Sequence, residues 1–465
     1  MGLKEYREFL ARKLIRDPVT GLTDLPALNA APFPFQADIV KWSLRRGRAA
    51  VFAGTGLGKT LMEMEWARVV SAHVGKPVLI LTPLAVAEQH VREAAKFGET
   101  ITHVKTQAQI TDPGIYVTNY EKIEHFDFTT LGGIVLDESS ILKAFDGKTR
   151  TMLIESCQQI PFRLAATATP APNDFMELGN HAEFLGVMSY TEMLSMFFVH
   201  DGGETAKWRI KGHAESEFWK WVCSWAVMLR KPSDLGYDDG AFDLPPLRLD
   251  QHTVAVEYKP TGGMLFPMQA QTLQERIGAR RDTVDDRVEC AAALVNANSR
   301  PWIAWCNLNT ESDALAKSIP GSIEVRGSDT EERKARALDD FANGKIRVLV
   351  TKPSICGFGL NWQHCADMAF VGLNDSWEQV YQAIRRCWRF GQTRPVNVHF
   401  IASEIEGAVV ANLARKDAQA EQMAREMISH MKDLNVAALR GTTRQKTAYD
   451  PQVEMVIPNW VREAS

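Results

Sequence analysis

The chain has 465 residues, of which 45% are apolar and 24% are charged. This composition disfavours an intrinsically disordered chain, and the apolar runs are much shorter than the roughly 20 residues that cross a bilayer. The 53 Lys and Arg against 57 Asp and Glu give a net charge of −4, so a nucleic-acid surface would be a local basic groove on an acidic protein. The N-terminal segment lacks the apolar core of a signal peptide, and we expect an intracellular, cytoplasmic protein without a membrane partner.

Strands and helices alternate through the first half of the chain. A helix is predicted over about residues 3–14, within an N-terminal extension that we place at residues 1–30. Apolar runs then predict five strands, at residues 49–53, 77–82, 114–118, 133–137 and 162–167. Near-continuous apolar strands separated by helices are typical of a parallel sheet that is buried on both faces.

The alternation weakens over about residues 173–245, a stretch rich in Phe, Trp and Met that we predict to be mostly helical. It closes with a Pro-Pro linker, after which five further strands are predicted, at residues 302–306, 322–325, 347–351, 368–372 and 396–401. A long helix follows, with a predicted packing face of Met423, Met427, Met431 and Leu434. The sequence therefore predicts an α/β fold of two parallel-sheet lobes in tandem, at residues 31–245 and 246–465, with a mostly helical insertion between them.

The cysteines and histidines show no metal-binding spacing. The seven cysteines contain no C-x-x-C pair, and the 11 histidines contain no H-E-x-x-H motif. We therefore expect buried thiols in a reducing compartment, and no metal held by protein side chains alone.

A glycine-rich turn follows the first strand and reads Ala-Gly-Thr-Gly-Leu-Gly-Lys-Thr from Ala53. A triphosphate needs convergent backbone N–H groups, a cation and a helix N-terminus. In this turn Lys59 would supply the cation and Thr60 a hydroxyl for Mg²⁺, although Ala53 stands where the common phosphate-binding loop has glycine. The residues expected to bind the nucleotide here are Gly54, Thr55, Gly56, Gly58, Lys59 and Thr60.

The fourth predicted strand ends in two carboxylates, Asp137 and Glu138. Ligands bind at the carboxyl edge of parallel sheets, which is where these side chains would lie. Asp137 would hold Mg²⁺ through water, and Glu138 would orient and deprotonate the attacking water. After a phosphate-binding loop, this pair predicts hydrolysis of a nucleoside triphosphate.

Several motifs, in this order, resemble those of superfamily-two helicases, most specifically the Swi/Snf-type branch. They are the phosphate-binding loop, the Asp137-Glu138 pair, and residues 167–169, 357–361, 375–377 and 382–392. The last of these, Gln-Ala-Ile-Arg-Arg-Cys-Trp-Arg-Phe-Gly-Gln, is the most specific. The resemblance covers about residues 33–415, and the compact layout is similar to that of helicases found in bacteriophage genomes.

The resemblance implies two RecA-like lobes that bind ATP and Mg²⁺ between them. Gln36, which follows two phenylalanines, matches the adenine-reading glutamine of the family. Ser139 and Ser140 depart from the family pattern, at a position that usually links the nucleotide site to residues 167–169. Arg386 and Arg389 match the arginine fingers that reach phosphates from the second lobe. The expected catalytic residues are therefore Lys59, Asp137, Glu138, Arg386 and Arg389.

A motor of this kind would grip the sugar-phosphate backbone of a strand with both lobes and read no sequence. Polar residues at or after the carboxyl ends of the strands are expected to make these contacts. They are Thr82, Thr118 and Asn119 in the first lobe, and Asn307, Thr351, Lys352 and Asn361 in the second. Residues 207–211 interleave cations with a tryptophan and fit either nucleic-acid stacking or an exposed hairpin.

The sequence predicts an ATP-dependent DNA helicase or DNA translocase, acting as a monomer in phage DNA replication or recombination, in the cytoplasm of a bacterial host. Replication or recombination proteins are its possible further partners. An RNA helicase is the alternative enzyme, because the core motifs are shared. A nucleotide-gated nucleic-acid-binding module with little turnover is the alternative of another class, and only Ser139 and Ser140 favour it. The sequence is compatible both with strand separation and with tracking along a duplex.

Overall fold

The computed structural model describes residues 20–29, 32–83, 86–143, 147–200, 208–254, 281, 283–356, 361–374, 376–403 and 407–434. The helix predicted over residues 3–14 lies outside these residues, as do residues 357–360 and Asp375 of the predicted motifs. None of the described helices is both long enough and apolar enough to span a membrane.

Lobe one is built on a sheet of seven strands that all run parallel. The strands are β1 (Arg48–Ala53), β2 (Val78–Thr82), β3 (Ile101–His103), β4 (Ile115–Asn119), β5 (Gly133–Asp137), β6 (Phe162–Thr167) and β9 (Ala226–Leu229). Their order is β3-β4-β2-β5-β6-β1-β9. All five strands predicted for this lobe are present, whereas β3 and β9 were missed.

Helices cover both faces of this sheet. They include α1 (Pro34–Arg46), α2 (Lys59–Val74), α3 (Ala87–Lys96) and α4 (Lys148–Cys157). Strands β2, β4, β5 and β6 are consequently buried at every position, which explains why their sequences are continuously apolar rather than alternating. The carboxyl ends of β1, β2, β5 and β6 therefore meet at one edge of the sheet, where the predicted nucleotide site lies.

The predicted insertion contains helices α5 (Leu178–Leu185), α6 (Tyr190–Phe197) and α7 (Glu215–Trp225). Strands β7 (Phe198–His200) and β8 (Trp208–Ile210) form an antiparallel hairpin between α6 and α7, so a hairpin is the form that residues 208–210 adopt. The chain then returns to the sheet, where β9 pairs with β1. The insertion is therefore mostly helical, as predicted, but it also supplies the seventh strand of lobe one.

Lobe two is a second parallel sheet. Its strands are β10 (Leu247–Val254), β11 (Trp302–Cys306), β12 (Ser322–Glu324), β13 (Val348–Thr351), β14 (Asp367–Val371) and β15 (Val396–Ser403). The helices among its described residues are α8 (Val284–Asn296), α9 (Asn309–Ser318), α10 (Glu331–Ala342), α11 (Pro353–Cys356) and α12 (Trp377–Ile384). The strand order is β10-β15-β14-β11-β13-β12, and the two sheets together confirm the predicted tandem of α/β lobes.

A terminal helix of 28 residues, α13 (Gly407–Leu434), joins the two lobes. Val409 at its start belongs to the core of lobe two, whereas Met423, Met427 and Met431 belong to the core of lobe one. The backbone N–H of Met228 in β9 donates to Met431 Sδ over 3.1 Å. The methionine stripe is therefore a packing face, as predicted, but the surface that it packs against is in the other lobe.

Six cysteines have described side-chain environments, and all six are free thiols. Five of them are buried, and Cys290 is partly exposed. Burial raises the pKa of Cys157, Cys223 and Cys306 to about 12. The prediction of buried thiols is therefore confirmed for five of these six residues.

Candidate active site

The phosphate-binding loop connects β1 to α2. Gly56 and Gly58 have φ angles of 92° and 80°, a left-handed conformation that glycine adopts without strain. The N-terminus of α2 follows directly, which is the arrangement that binds phosphate in other proteins. Lys59 Nζ donates to the Ala53 carbonyl oxygen over 3.0 Å, and the buried Thr55 Oγ1 has no hydrogen-bond partner among the described residues. A bound phosphate would give both groups an anionic acceptor.

Gln36 is buried against this loop. Its Oε1 accepts a hydrogen bond from the Phe33 backbone N–H over 2.9 Å, and its Nε2 donates to the Leu57 carbonyl oxygen over 2.8 Å. A Cβ atom at Gly58 would lie only 2.3 Å from Nε2, so the amide fits because position 58 is glycine. Gln36 therefore ties the start of α1 to the phosphate-binding loop, and its contact with adenine stays a prediction.

Asp137 and Glu138 lie at the carboxyl end of β5. Thr82 Oγ1 donates to Asp137 Oδ2, and Thr167 Oγ1 donates to Glu138 Oε2, each over 3.1 Å. Glu138 is the one described non-glycine residue with a positive φ, 55°, and such backbone strain is concentrated at functional sites. Burial raises the pKa of Glu138, and burial together with the charge of Glu63 raises that of Asp137 to about 6. A carboxylate with a raised pKa is a stronger base, which suits the proton acceptor in hydrolysis.

A buried charged group lies behind Asp137. His90 Nε2 is 3.4 Å from Glu63 Oε2 and 3.6 Å from Asp137 Oδ2, while Nδ1 is 3.2 Å from the Val86 carbonyl oxygen. Burial alone would lower the pKa of His90, but the two carboxylates raise it to about 9. At neutral pH the imidazolium therefore donates to the Val86 carbonyl oxygen through Nδ1 and to Glu63 through Nε2, and it forms an ion pair with Asp137.

Glu63 and His90 were missed in the sequence. Their ligand atoms and that of Asp137 lie within 4.8 Å of one another, and both side chains are buried beside the Asp137 carboxylate. We therefore interpret the group as a charge network that holds Asp137. The one signal in the sequence was Glu63 itself, a charged residue four positions after Lys59 in a helix that is mostly buried.

The predicted Mg²⁺ fits the residues at this edge of the sheet. Thr60 and Asp137 offer a hydroxyl and a carboxylate, and Mg²⁺ prefers such oxygen ligands. Lys59 lies close enough to favour the ionised forms of Asp137 and Glu138. When bound, Mg²⁺ would neutralise phosphate charge beside these groups.

Arg386 and Arg389 of lobe two lie at the same site. Arg386 is 2% exposed, and its Nε and Nη2 donate to the backbone and side-chain oxygens of Gln382, each over 3.0 Å. Burial raises the pKa of Glu138, and the positive charge of Arg386 opposes this larger effect by favouring the ionised carboxylate. Burial and the neighbouring Arg386 lower the pKa of Arg389 to about 9. The structure therefore brings a fixed cation of lobe two close to the carboxylate of lobe one.

Lobe two also lies directly on the phosphate-binding loop. A Cβ atom at Gly56 would lie 3.0 Å from the Phe390 backbone nitrogen and 3.4 Å from Arg389 Cβ. The Phe390 ring is 4.8 Å from that of Phe242, which is 5.0 Å from the ring of Phe33. Sequence reasoning missed Phe242 and Phe390, which complete an aromatic surface against which a purine base could stack.

The insertion holds the segment that follows Glu138. Ser139 Oγ is 3.1 Å from His181 Nε2, and Asn180 Nδ2 donates to the Leu142 carbonyl oxygen over 2.7 Å. Burial lowers the pKa of His181 to about 4, so a neutral ring accepts the hydrogen bond of the Ser139 hydroxyl. Sequence reasoning missed His181 because no local pattern distinguishes it from other residues of a buried helix.

Four of the seven predicted nucleic-acid residues have buried side chains, and their contact with nucleic acid stays a prediction. Thr82, Thr118 and Thr351 are fully buried, and Asn119 is 6% exposed. The reason is that their surroundings enclose them: Thr82 donates to Asp137, and Asn119 and Thr351 donate to backbone carbonyl oxygens. These side chains build the edge of the sheet and do not reach its surface.

The other three predicted residues are accessible. Asn361 is exposed, and Asn307 and Lys352 are partly exposed. The loop at Asn307 is fixed by Glu311, whose Oε2 accepts from the Asn307 backbone N–H over 2.8 Å. Glu311 in turn forms a fully buried ion pair of 2.7 Å with Arg287. Contact of these three residues with nucleic acid stays a prediction.

Two family models match the chain, and each falls on one lobe. The DEAD/DEAH box helicase model matches residues 33–178, and the helicase conserved C-terminal domain model matches residues 288–391. The first match contains the phosphate-binding loop and both carboxylates, and the second contains both arginines.

Relatives are found in phages and eukaryotes. Protein p41 of Acyrthosiphon pisum secondary endosymbiont phage 1 is 23% identical over 435 residues, 80% of this chain and 93% of that protein. The DNA annealing helicase and endonuclease ZRANB3 of Mus musculus is 23% identical over 452 residues, 87% of this chain but 42% of that protein. The bifunctional helicase and thymine dioxygenase JBP2 of Leishmania infantum is 37% identical over 93 residues, 19% of this chain and 8% of that protein. The chain thus spans most of the phage protein and less than half of the two eukaryotic ones.

The family matches agree with the paired parallel-sheet lobes and with the candidate nucleotide site between them. The relatives include a phage protein and a DNA annealing helicase. The chain belongs to superfamily two of the helicases.

Proposed function

We propose that this helicase hydrolyses ATP to translocate along DNA, holding the sugar-phosphate backbone without reading the base sequence. The observation that carries the proposal is the site between the lobes. Lobe one supplies the phosphate-binding loop and Glu138, and lobe two places Arg386 within electrostatic reach of that carboxylate. A site shared in this way is complete only when the lobes are closed, so hydrolysis is linked to their relative movement.

Each group has a role in this reaction. The loop and Lys59 bind the β- and γ-phosphates, and Glu138 accepts the proton of the attacking water. Arg386 and Arg389 stabilise the negative charge that spreads over the γ-phosphoryl oxygens in the transition state. The aromatic surface beside the loop receives the base.

DNA as the track is supported by two observations. ZRANB3, a DNA annealing helicase by name, is similar to this chain over 87% of the length of this chain. Residues 382–392 resemble the Swi/Snf-type branch most specifically, and this segment is the one that lies on the phosphate-binding loop. The phage relative favours a role in phage DNA replication or recombination.

The test compares the ATPase rate of the full chain with single-stranded DNA, duplex DNA and RNA at equal nucleotide concentration. We expect DNA of unrelated sequences to stimulate hydrolysis equally, and RNA to stimulate it less. Stronger stimulation by RNA would make the protein an RNA helicase. ATP binding without turnover under all conditions would indicate a nucleotide-gated binding module.

A further inference from the structure

Glu378 is a buried carboxylate at the start of α12 in lobe two. It is 5% exposed, and a carboxylate in such a position is costly unless charged or polar partners surround it. The proposed hydrolysis assigns it no role, although its charge adds to the effect of burial in raising the pKa of Glu138.

Both partners of Glu378 come from lobe one. Lys143 Nζ donates to Oε2, and Thr169 Oγ1 donates to Oε1 over 3.3 Å. Thr169 is 2% exposed, so this contact is enclosed by the two lobes. Separation of the lobes would leave the Glu378 carboxylate without these two partners.

The contacts of Glu378 continue to the catalytic carboxylate. The backbone N–H of Thr169 donates to Thr167 Oγ1 over 3.1 Å, and Thr167 Oγ1 donates to Glu138 Oε2 over 3.1 Å. Lys143 ends the short 3₁₀ helix that begins at Ser139, immediately after Glu138. Glu378 therefore contacts two separate segments of lobe one that adjoin Glu138, namely the 3₁₀ helix that follows it and the segment that carries Thr167.

Glu138 needs such support because of its backbone. A φ of 55° is unfavourable for a side chain with a Cβ atom and persists only where the surroundings impose it. Thr167 fixes its carboxylate, and the 3₁₀ helix fixes the chain that follows it. Both supports reach lobe two through Glu378.

We propose that Glu378 is a positioning residue that transmits lobe closure to the Glu138 carboxylate. In the closed protein it pulls Lys143 and Thr169 into place, and Glu138 is then oriented toward the attacking water. The proposal rests on the proposed nucleic-acid-stimulated hydrolysis of ATP and adds the residue through which the stimulation reaches the base.

The test uses E378Q in the full chain, with ATPase kcat and KM measured with and without DNA. The amide keeps the shape of the side chain and removes the charge. Because hydrogen bonds to charged groups are worth more than neutral ones, we expect the DNA-stimulated kcat to fall about tenfold. The KM for ATP and the DNA-independent rate should stay within about twofold of those of the unaltered protein. T169V, which removes the hydroxyl at nearly constant volume, should lower the same rate.

The matched control is E421Q. Glu421 on α13 forms an ion pair of 2.9 Å with Arg230 of lobe one, and both side chains are exposed, at 46% and 39%. This pair also joins α13 to lobe one but makes no described contact with Glu138, so E421Q should keep full DNA-stimulated turnover. The charge swap K143E/E378K should recover at least part of the rate lost in E378Q.

Several results would overturn the proposal. If the unaltered protein is stimulated by DNA and E378Q matches E421Q, Glu378 does not transmit closure. If E378Q lowers the rates with and without DNA equally, its role is general stability and not coupling. If E378Q does not fold, retention of full stimulation in T169V would refute the link. Absence of DNA stimulation in the unaltered protein would instead refute the proposed function.

Discussion

The carboxyl edges of the two sheets carry similar polar residues but use them differently. In lobe one, Thr82, Thr118 and Asn119 are buried, and Thr82 holds the Asp137 carboxylate. In lobe two, Asn307 and Lys352 follow the strands by one residue and are partly exposed. A threonine inside the strand end builds the site, whereas a residue just beyond the strand reaches the surface.

We propose that this difference divides the work between the lobes. The edge of lobe one would enclose the phosphates and the catalytic base, and Thr82 and Asn119 there already donate hydrogen bonds within the protein. The edge of lobe two offers accessible polar side chains for a strand, and its arginines enter the site of lobe one. The following predictions test this division.

The largest effect is expected at the arginines of lobe two. Arg386→Ala or Arg389→Ala should lower DNA-stimulated ATP hydrolysis by about 10³-fold, because each removes a cation that stabilises the transferring phosphoryl group. Nucleotide titration of the free protein should show nearly unchanged ATP affinity. Full DNA-stimulated turnover in either variant would show that this arginine does not stabilise the transferring phosphoryl group.

A somewhat smaller effect is expected at the base of lobe one. Glu138→Gln should lower kcat by about 10²–10³-fold, because an amide cannot accept the proton of water. ATP binding should persist in this variant, whereas Lys59→Ala should lose it, since Lys59 is the cation of the phosphate site. Equal loss of binding in both variants would contradict their separate roles.

The accessible edge of lobe two should affect DNA binding and leave chemistry intact. Lys352→Ala is expected to weaken DNA binding severalfold and to reduce the slope of log affinity against log salt by about 1. Thr118→Val is the matched control, because its buried side chain cannot reach a strand. Fluorescence anisotropy over a salt series measures the DNA affinity and its salt dependence. An equal loss of DNA affinity in the two variants would contradict the distinction between the two sheet edges.

The smallest effect at neutral pH is expected at His181, which supports the closed edge of lobe one. Its folded pKa of about 4 lies below the usual 6.5, so between these values the unfolded chain binds the proton more tightly. The free energy of unfolding should therefore fall as pH drops from 6.5 toward 4, by up to about 3 kcal/mol. Denaturant unfolding of the unaltered protein and of His181→Gln at pH 7 and pH 5 isolates this contribution. An identical pH dependence in the two proteins would exclude it.

The parts of the fold that local patterns encode could be predicted from the sequence. Continuous apolar runs gave the central strands, and the glycine spacing gave the phosphate-binding loop at Gly56 and Gly58. Strand β9 was missed because its four residues follow an aromatic helix without a turn between them. Short edge strands carry too few residues for a period to be recognised.

The supporting residues of the site could not be predicted for a different reason. His90 and Glu378 act through partners that are distant in the chain, and Thr169 lies 209 residues before Glu378. The exposure of Thr118 and Asn361 likewise depends on which segments fold over each strand end. Such pairings follow from the tertiary structure and leave no spacing in the sequence.

The chain connects the two lobes at two places. The first connection precedes β10, and the terminal helix α13 is the second. Met423, Met427 and Met431 are buried in lobe one, and exposing a methionine side chain costs about 1.5–3 kcal/mol. Pulling the lobes straight apart would expose all three, whereas turning one lobe about the line through the two connections leaves them in place. We therefore expect the lobes to rotate about the line through these two connections, and under the proposed translocation an angle of rotation would set the length of a step along DNA.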